Sequence, residues 1–310
     1  MRKTLSILLF FLISNPLSSQ ITLKKSIIHD GLERKFIIHL PEKFDMSKSL
    51  PVVLCFHGYT SSAEIIMSYS DFNKTSDEFN FIVVYPQGLK EKNTGKTHWN
   101  VGGWTKDSKV DDIGFVENLI DYLIVNYNIN EKQVYSTGFS NGGYMSFLLA
   151  CELSNRITAI ASISGSMTPE TLKQCDPKRH VPILQVHGEV DNVVPYKGSK
   201  KWTLSINNVM NYWIKFNKCN EESIIKKYPD RVKSDSSFCI LHKYINSDGI
   251  ETNHIKVING DHDWPGINND FNINQNSETK TFFTKYDIRG NLDIKMSYEI
   301  WNFLNKYSLD

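Results

Sequence analysis

The pentapeptide Gly138-Phe139-Ser140-Asn141-Gly142 is the stretch of the chain best suited to chemistry. It stands between an apolar run at 134–137 and an apolar stretch from Gly143 through Leu149, which read as a buried strand and a helix. A serine with glycines two places before and after it can occupy a strained strand-to-helix turn, because side chains at those places would meet neighbouring backbone. The pattern by itself is common, and its plain alternative is a loop serine flanked by glycines; the strand before and helix after make Ser140 the expected nucleophile. A serine hydroxyl is a weak nucleophile at its own pKa, so a base and an orienting carboxylate are expected downstream in the order Ser, Asp/Glu, His.

Asp191 is the expected orienter. The apolar run 181–186 leads into His187-Gly188-Glu189-Val190-Asp191-Asn192-Val193-Val194-Pro195, which places Asp191 on a loop at the carboxyl end of a strand, where functional groups gather in open α/β sheets. Glu189 is the rival carboxylate. Of the nine histidines, His262 is the expected base, in the Gly- and Pro-punctuated loop Asn259-Gly260-Asp261-His262-Asp263-Trp264-Pro265-Gly266 after the last strand. His57 and His187 each precede a glycine after a strand and read better as packed rings bonded to backbone. His39, His98, His242 and His254 lack a suitable placement, and His29 and His180 read as surface or loop residues. Asp261 and Asp263 would favour a protonated His262 ring if they stood within about 4–6 Å of it; otherwise both face solvent. The backbone N–H groups of Asn141 and of Tyr59, with Thr60 as the alternative to Tyr59, are the expected oxyanion donors.

The elements that must carry these residues follow a β/α rhythm. Apolar, β-branched runs recur at 52–56, 81–85, 133–137, 157–163, 181–186 and 255–258, continuous in the manner of strands buried on both faces of a parallel sheet. A hairpin at 24–28 and 34–39 opens the fold across Asp30-Gly31. Helices are expected at 111–126, capped by Asp111 with Val110 and Phe115 as a staple, and on the apolar faces of 206–213 and 296–307. The expected fold is therefore α/β, a mostly parallel central sheet with helices on both faces. The polar, poorly periodic stretches 88–109 and 267–289 read as loops on one domain covering 20–310.

Residues 1–19 read as a removable export signal: Arg2 and Lys3, an apolar run at 5–13, then a polar exit ending near Ser19. Nine apolar residues fall short of the roughly 20 that span a bilayer. Export makes the five cysteines informative. Cys55 lies in a strand and is expected to be free. Of the three connectivities open to the other four, the local pairs Cys151–Cys175 and Cys219–Cys239 are expected, each loop contributing about 3 kcal/mol. A formal charge of +1 without basic runs excludes broad electrostatic partners such as nucleic acid or a membrane surface.

Together these residues resemble the secreted α/β-hydrolase esterases of the polyhydroxybutyrate depolymerase and feruloyl esterase type, LpqC-like and of carbohydrate-esterase character. The likeness rests on His57-Gly58, Trp99-Asn100, Val110-Asp111-Asp112-Ile113-Gly114-Phe115, Gly138 through Met145, His187-Gly188 with Asp191 and Val194-Pro195-Tyr196, and His262 with Trp264-Pro265-Gly266. The resemblance implies Ser140 as nucleophile, His262 as base and Asp191 as orienter, in agreement with the residue-level reading. Tyr59 stands where many relatives carry a cysteine, and Asp261 where they tend to have a glycine.

The expected activity is that of a secreted serine ester hydrolase working through an acyl-enzyme, on feruloyl or acetyl esters of plant polysaccharide. Polyester depolymerisation is the alternative. The rivals are a prolyl-oligopeptidase-like peptidase, against which the absence of a propeller-sized N-terminal region counts, and a non-catalytic carbohydrate-binding protein of the same fold. Trp99 and Trp264 are expected to line the substrate cleft, whereas Trp104 reads at least as well as core. No cofactor or metal is expected, and the only partner expected of this monomer is its ester substrate.

Overall fold

The Asp30-Gly31 turn, both residues at positive φ, folds β1 (Ile21–His29) back on β2 (Leu32–Leu40) in an antiparallel pair from Ile21 opposite Leu40 to His29 opposite Leu32. The computed structural model describes residues 21–267 and 290–310. The export signal read at 1–19 lies outside the described residues, as does all but Ile267 of the loop read at 267–289. After the hairpin come β3 (Leu50–Phe56), β4 (Ile82–Pro86), β5 (Ile129–Phe139), β6 (Ala159–Ile163), β7 (Ile183–Gly188), β8 (Ile224–Lys227), β9 (Phe238–Ile245) and β10 (Glu251–Ile258). All ten form one sheet in the order β1-β2-β4-β3-β5-β6-β7-β10-β9-β8. The six central strands, β4 through β10 in that order, run parallel, and the two strands at each margin join antiparallel. Their carboxyl ends therefore share one edge of the sheet.

Successive side chains of a strand point to opposite faces, and β3 divides in this way: Val52, Leu54 and Phe56 enter one core, Val53 and Cys55 the other. The first core is covered by α3 (Asp112–Tyr127), α4 (Asn141–Glu152) and α6 (Ile206–Phe216), through residues such as Phe115, Leu119, Met145, Leu148, Val209 and Trp213. On the other face lie α1 (Ala63–Tyr69), α2 (Phe72–Phe79) and α7 (Met296–Leu304), packing Ile66, Phe72, Ile300 and Trp301. A short α5 (Pro169–Gln174) sits beside α4. Among the described residues, no helix is long and apolar enough to cross a membrane.

Asp111 caps α3, accepting the Gly114 N–H, and the next residue reaches into the fold. Asp112 is buried and takes Arg34 at 2.5 Å and the Asn100 N–H at 2.8 Å. Arg34 lies 3.9 Å over the Phe115 ring. This buried pair fastens the 88–109 loop to the start of the sheet, which gives the Val110–Phe115 motif a structural role.

Cys151 and Cys175 are bridged, tying the end of α4 to the end of α5 with Cα atoms 4.7 Å apart. The second expected bridge is corrected: Cys219 and Cys239 are both free thiols. The Cys219 thiol lies against Ile250 O and Thr252 at the start of β10, whereas Cys239 on β9 pairs with Val257 near its end. Five residues of strand, about 16 Å, separate Thr252 from Val257, far beyond the Cα spacing a disulfide spans. Cys239 is instead buried against Asn291 Oδ1, and burial raises its thiol pKa well beyond the ordinary range. Cys55 is free and buried.

Candidate active site

Ser140 follows β5 directly and opens α4 with φ 54° and ψ −119°, a region that a non-glycine residue enters only under strain. The neighbours hold it there. Its N–H donates to Ile163 O at 2.8 Å, and its carbonyl accepts the N–H groups of Gly143 and Tyr144. Gly142 permits the turn, since a Cβ at that position would stand 2.0 Å from the Phe56 carbonyl oxygen. Asn141 is fully buried and clamps the backbone of Trp99 from both sides, accepting its N–H at 2.7 Å and donating to its carbonyl at 3.1 Å.

The loop after β7 brings Asp191 inward, and the loop after β10 lays His262 against it. Asp191 Oδ1 accepts the N–H groups of Val193 at 2.9 Å and Val194 at 2.7 Å, and Oδ2 accepts His262 Nδ1–H at 2.8 Å. A carboxylate only accepts, so the His262 proton sits on Nδ1 and Nε2 is left as the basic nitrogen. Burial alone would raise the Asp191 pKa; the charge of His262 and the hydrogen bonds from His187 and His262 outweigh it and hold the carboxyl well below the usual range. Ser140 and His262 line one cleft. No hydrogen bond joins them among the described residues, as is common before substrate closes such a pair.

The close approach of the two loops depends on Gly188, where a Cβ would stand 2.3 Å from the carbonyl oxygens of Gly260 and Asp261. Asp261 fastens them. Its carboxylate accepts the Asn192 N–H and side-chain amide, each at 3.3 Å, and the His262 N–H at 2.8 Å. Glu189, the rival orienter, is turned away onto Lys256 at 2.7 Å.

Asp263 is buried, against the solvent-facing alternative, with Oδ2 accepting the Asn291 N–H at 3.2 Å. Burial pushes its carboxyl up to about 7, against the smaller opposing pull of hydrogen bonds from Trp264 and Asn291 and of His262. In the unfolded chain the same group ionises near 4. The folded state therefore loses relative stability as the pH rises from about 4 to about 7. Asp263→Asn cannot ionise and is expected to gain stability relative to the parent across that window, with the difference levelling above it. Urea unfolding at pH 4 and pH 8 checks this, and a difference that stays constant with pH would contradict it.

His187 is more than a packed ring. Its Nε2–H donates to Val194 O at 2.8 Å and lies 3.2 Å from Asp191 Oδ2, while Nδ1 accepts from the Gln185 amide at 3.1 Å. Those partners fix the ring so that it presents a second imidazole donor to Asp191. We expect His187→Ala to lower kcat/KM about tenfold, the scale of one hydrogen bond to a charged group. Parent-like kcat/KM in a folded His187→Ala would reduce His187 to packing.

On the oxyanion side, the Thr60 N–H is committed to Thr97 O at 2.9 Å. No acceptor among the described residues takes the Tyr59 or Asn141 N–H, which favours Tyr59 over Thr60. His57 lies beneath this loop, donating from Nδ1 to Gly58 O at 2.7 Å and accepting the Gly88 N–H at 3.0 Å. Burial lowers its pKa to about 4 and keeps it neutral.

Two expected substrate residues are corrected. Trp99 is wholly buried, its indole N–H on the His57 carbonyl at 2.9 Å, and Trp264 is buried against Tyr69 and Phe72. Both are core because the loops that bear them fold inward behind the cleft. The half-buried Trp104 and Trp202 reach the cavity beside Ser140 instead, together with Tyr59, Val193 and Val194. Trp202 has no periodic signal in the sequence; only its position shortly after the Asp191 loop hinted at it. One cluster with metal-ligand spacing, His29, Asp30 and Asp111, shares no residue with the cleft, and Asn118 and Asp111 already engage both nitrogens of His29.

Residues 44–226 match the phospholipase/carboxylesterase family. The chain is 28% identical over 221 residues to a bifunctional acetylxylan esterase/xylanase of Neocallimastix patriciarum, covering 71% of this chain and 30% of that protein. It is 31% identical over 199 residues to feruloyl esterase B of Piromyces equi, covering 61% and 36%. The chain thus spans about a third of the length of these curated relatives. Among solved structures, an acetyl xylan esterase from Aspergillus awamori superposes with a TM-score of 0.58 at 15% identity, over 78% of this chain and 94% of that one, a likeness of fold.

Proposed function

This chain belongs to the phospholipase/carboxylesterase family, with an α/β-hydrolase fold, and on that footing we propose that it is a secreted serine esterase acting on carbohydrate-linked carboxylic esters. The observation that carries the reading is the Asp191–His262 pair at 2.8 Å, set in one cleft with Ser140 on its strained turn. His262 Nε2 takes the Ser140 hydroxyl proton as Oγ bonds to the ester carbon. The N–H groups of Tyr59 and Asn141 hold the resulting oxyanion. Collapse breaks the bond to the alcohol oxygen, which leaves with the proton from Nε2; water, deprotonated by the same nitrogen, then releases the acid and restores Ser140.

Feruloyl or acetyl groups on plant polysaccharide are the substrates the reading favours, supported by the names of the relatives and by the indoles beside Ser140. Export is supported by the sequence pattern of residues 1–19 and by the Cys151–Cys175 bridge, since disulfides persist in oxidising compartments. Residues 20–310 then act as one catalytic domain.

The test is ferulate release from methyl ferulate by the mature chain. Saturable release supports the reading. No release of ferulate from a folded protein that does cleave acetyl esters would withdraw the feruloyl substrate, and hydroxyalkanoate oligomers cleaved in preference to both would move the assignment to polyester.

A further inference from the structure

Ser140 stands where two cavities meet, with Tyr59 and Val193 shared between them. The first, about 180 Å³, continues past His262 to Asn192, Asp261 and Lys96. The second, about 340 Å³, is walled by Gly103, Trp104, Val194 and Trp202.

The chemistry of the proposed reaction assigns their occupants. Once the ester carbon is on Ser140 Oγ and its oxygen in the oxyanion site, the acyl chain and the alcohol must leave that carbon in different directions. The alcohol oxygen has to receive its proton from His262, so it lies on the side that His262 lines. His262 lines the first cavity and not the second. Resting on the serine esterase reading, we propose that the Trp104–Trp202 cavity is the acyl site and selects an aromatic acyl group, and that the cavity of Lys96, Asn192 and Asp261 holds the sugar alcohol.

The walls fit these roles. Trp202 meets Trp104 edge-on, with centroids 5.1 Å apart at 87°, and Trp104 meets Tyr144 at 5.0 Å and 82°. Tyr59 closes the corner edge-on to Trp104 at 6.4 Å. The indoles are braced from behind, by the Gly103 N–H on Glu170 at 3.1 Å and by a hydroxyl contact between Tyr144 and Thr203. An aromatic acyl group would exchange water for indole faces and edges there, whereas an acetyl group would leave most of the cavity unfilled. On the other side an ammonium, a carboxylate and an amide offer the donors and acceptors that sugar hydroxyls need.

Two substrate series separate the cavities. One keeps methanol as the alcohol and changes the acyl group from acetyl to feruloyl; the other keeps feruloyl and changes the alcohol from methanol to a pentose. Trp202→Ala is expected to lower the ferulate-to-acetate ratio of kcat/KM about 30-fold, with at most about a threefold change in the sugar-to-methanol ratio. Asn192→Ala should show the opposite pattern. Trp202→Leu and Trp104→Leu, which keep apolar volume, stand in if the alanine variant fails to fold. If the tryptophan variants change the alcohol ratio in place of the acyl ratio, or change neither, the assignment is overturned. A parent that cleaves no ester in either series, and so shows no loss in Ser140→Ala, overturns the esterase reading itself and this assignment with it.

Discussion

Ser140→Ala is expected to lower kcat/KM for ester hydrolysis about a million-fold, since removing the nucleophile of a serine triad alone costs nearly as much as removing all three members. The fold should be indifferent. Alanine carries the same Cβ into the same strained φ, and the contacts that hold the turn belong to the backbone of Ser140, Gly143, Tyr144 and Ile163. The expected result is therefore an inactive protein with the parent's thermal midpoint to within a few degrees. Residual activity above about a thousandth of the parent, in preparations free of parent enzyme, would point to another nucleophile.

Asp191→Asn should cost about ten-thousand-fold, for a reason visible in the four groups around the carboxylate. Oδ1 is fixed as an acceptor by the N–H groups of Val193 and Val194. An asparagine would keep its oxygen there and turn its NH₂ toward His262 and His187. His262 would then have to accept at Nδ1 and carry its proton on Nε2, the tautomer that cannot take a proton from Ser140. His187 cannot yield, because its Nε2–H is held by Val194 O and its Nδ1 by Gln185. Steady-state kinetics on any cleaved ester checks this. A loss under a hundredfold would mean that Asp191 is not the orienter. Because the parent carboxyl is held well below the usual range, the acid limb of the parent's pH profile should not report Asp191.

Much of this geometry is legible in the sequence for a simple reason. Continuous apolar runs mark the central parallel strands, and the residues proposed to act on a substrate stand one to four positions after those strands: Tyr59 after β3, Ser140 after β5, Asp191 after β7, His262 after β10. Local pattern thus carries the positions even though their meeting is a long-range event. The margin of the sheet is less readable. In β8 all four residues are exposed, and β9 is only partly buried, so neither has the apolar continuity that identifies its neighbours.

Side-chain direction was the part that local pattern could not carry. Trp264 stands two residues after His262 yet is core, whereas Trp202, sixty residues before it, lines the cavity; Trp99 and Trp104, five residues apart on one loop, divide in the same way. What decides between them is a set of backbone clamps, Asn141 on Trp99 and Asp112 on Asn100, whose partners are separated by 42 and 12 residues. The Cys219–Cys239 expectation failed in the same way: closeness in sequence stood in for closeness along β10, and the register of β9 separates the two thiols. His187, whose sequence context suggests a packed ring bonded to backbone, gains its contact with Asp191 only once the loop bearing Asp191 folds back over it.

Covalent labelling of the folded protein by a fluorophosphonate, read by peptide mass mapping, decides whether Ser140 is the nucleophile. One adduct is expected, on Ser140, formed rapidly in the parent, abolished in Ser140→Ala and strongly slowed in His262→Ala. A parent that stays unlabelled, or that carries its adduct on another residue while Ser140→Ala labels at the parent's rate, would contradict that role for Ser140.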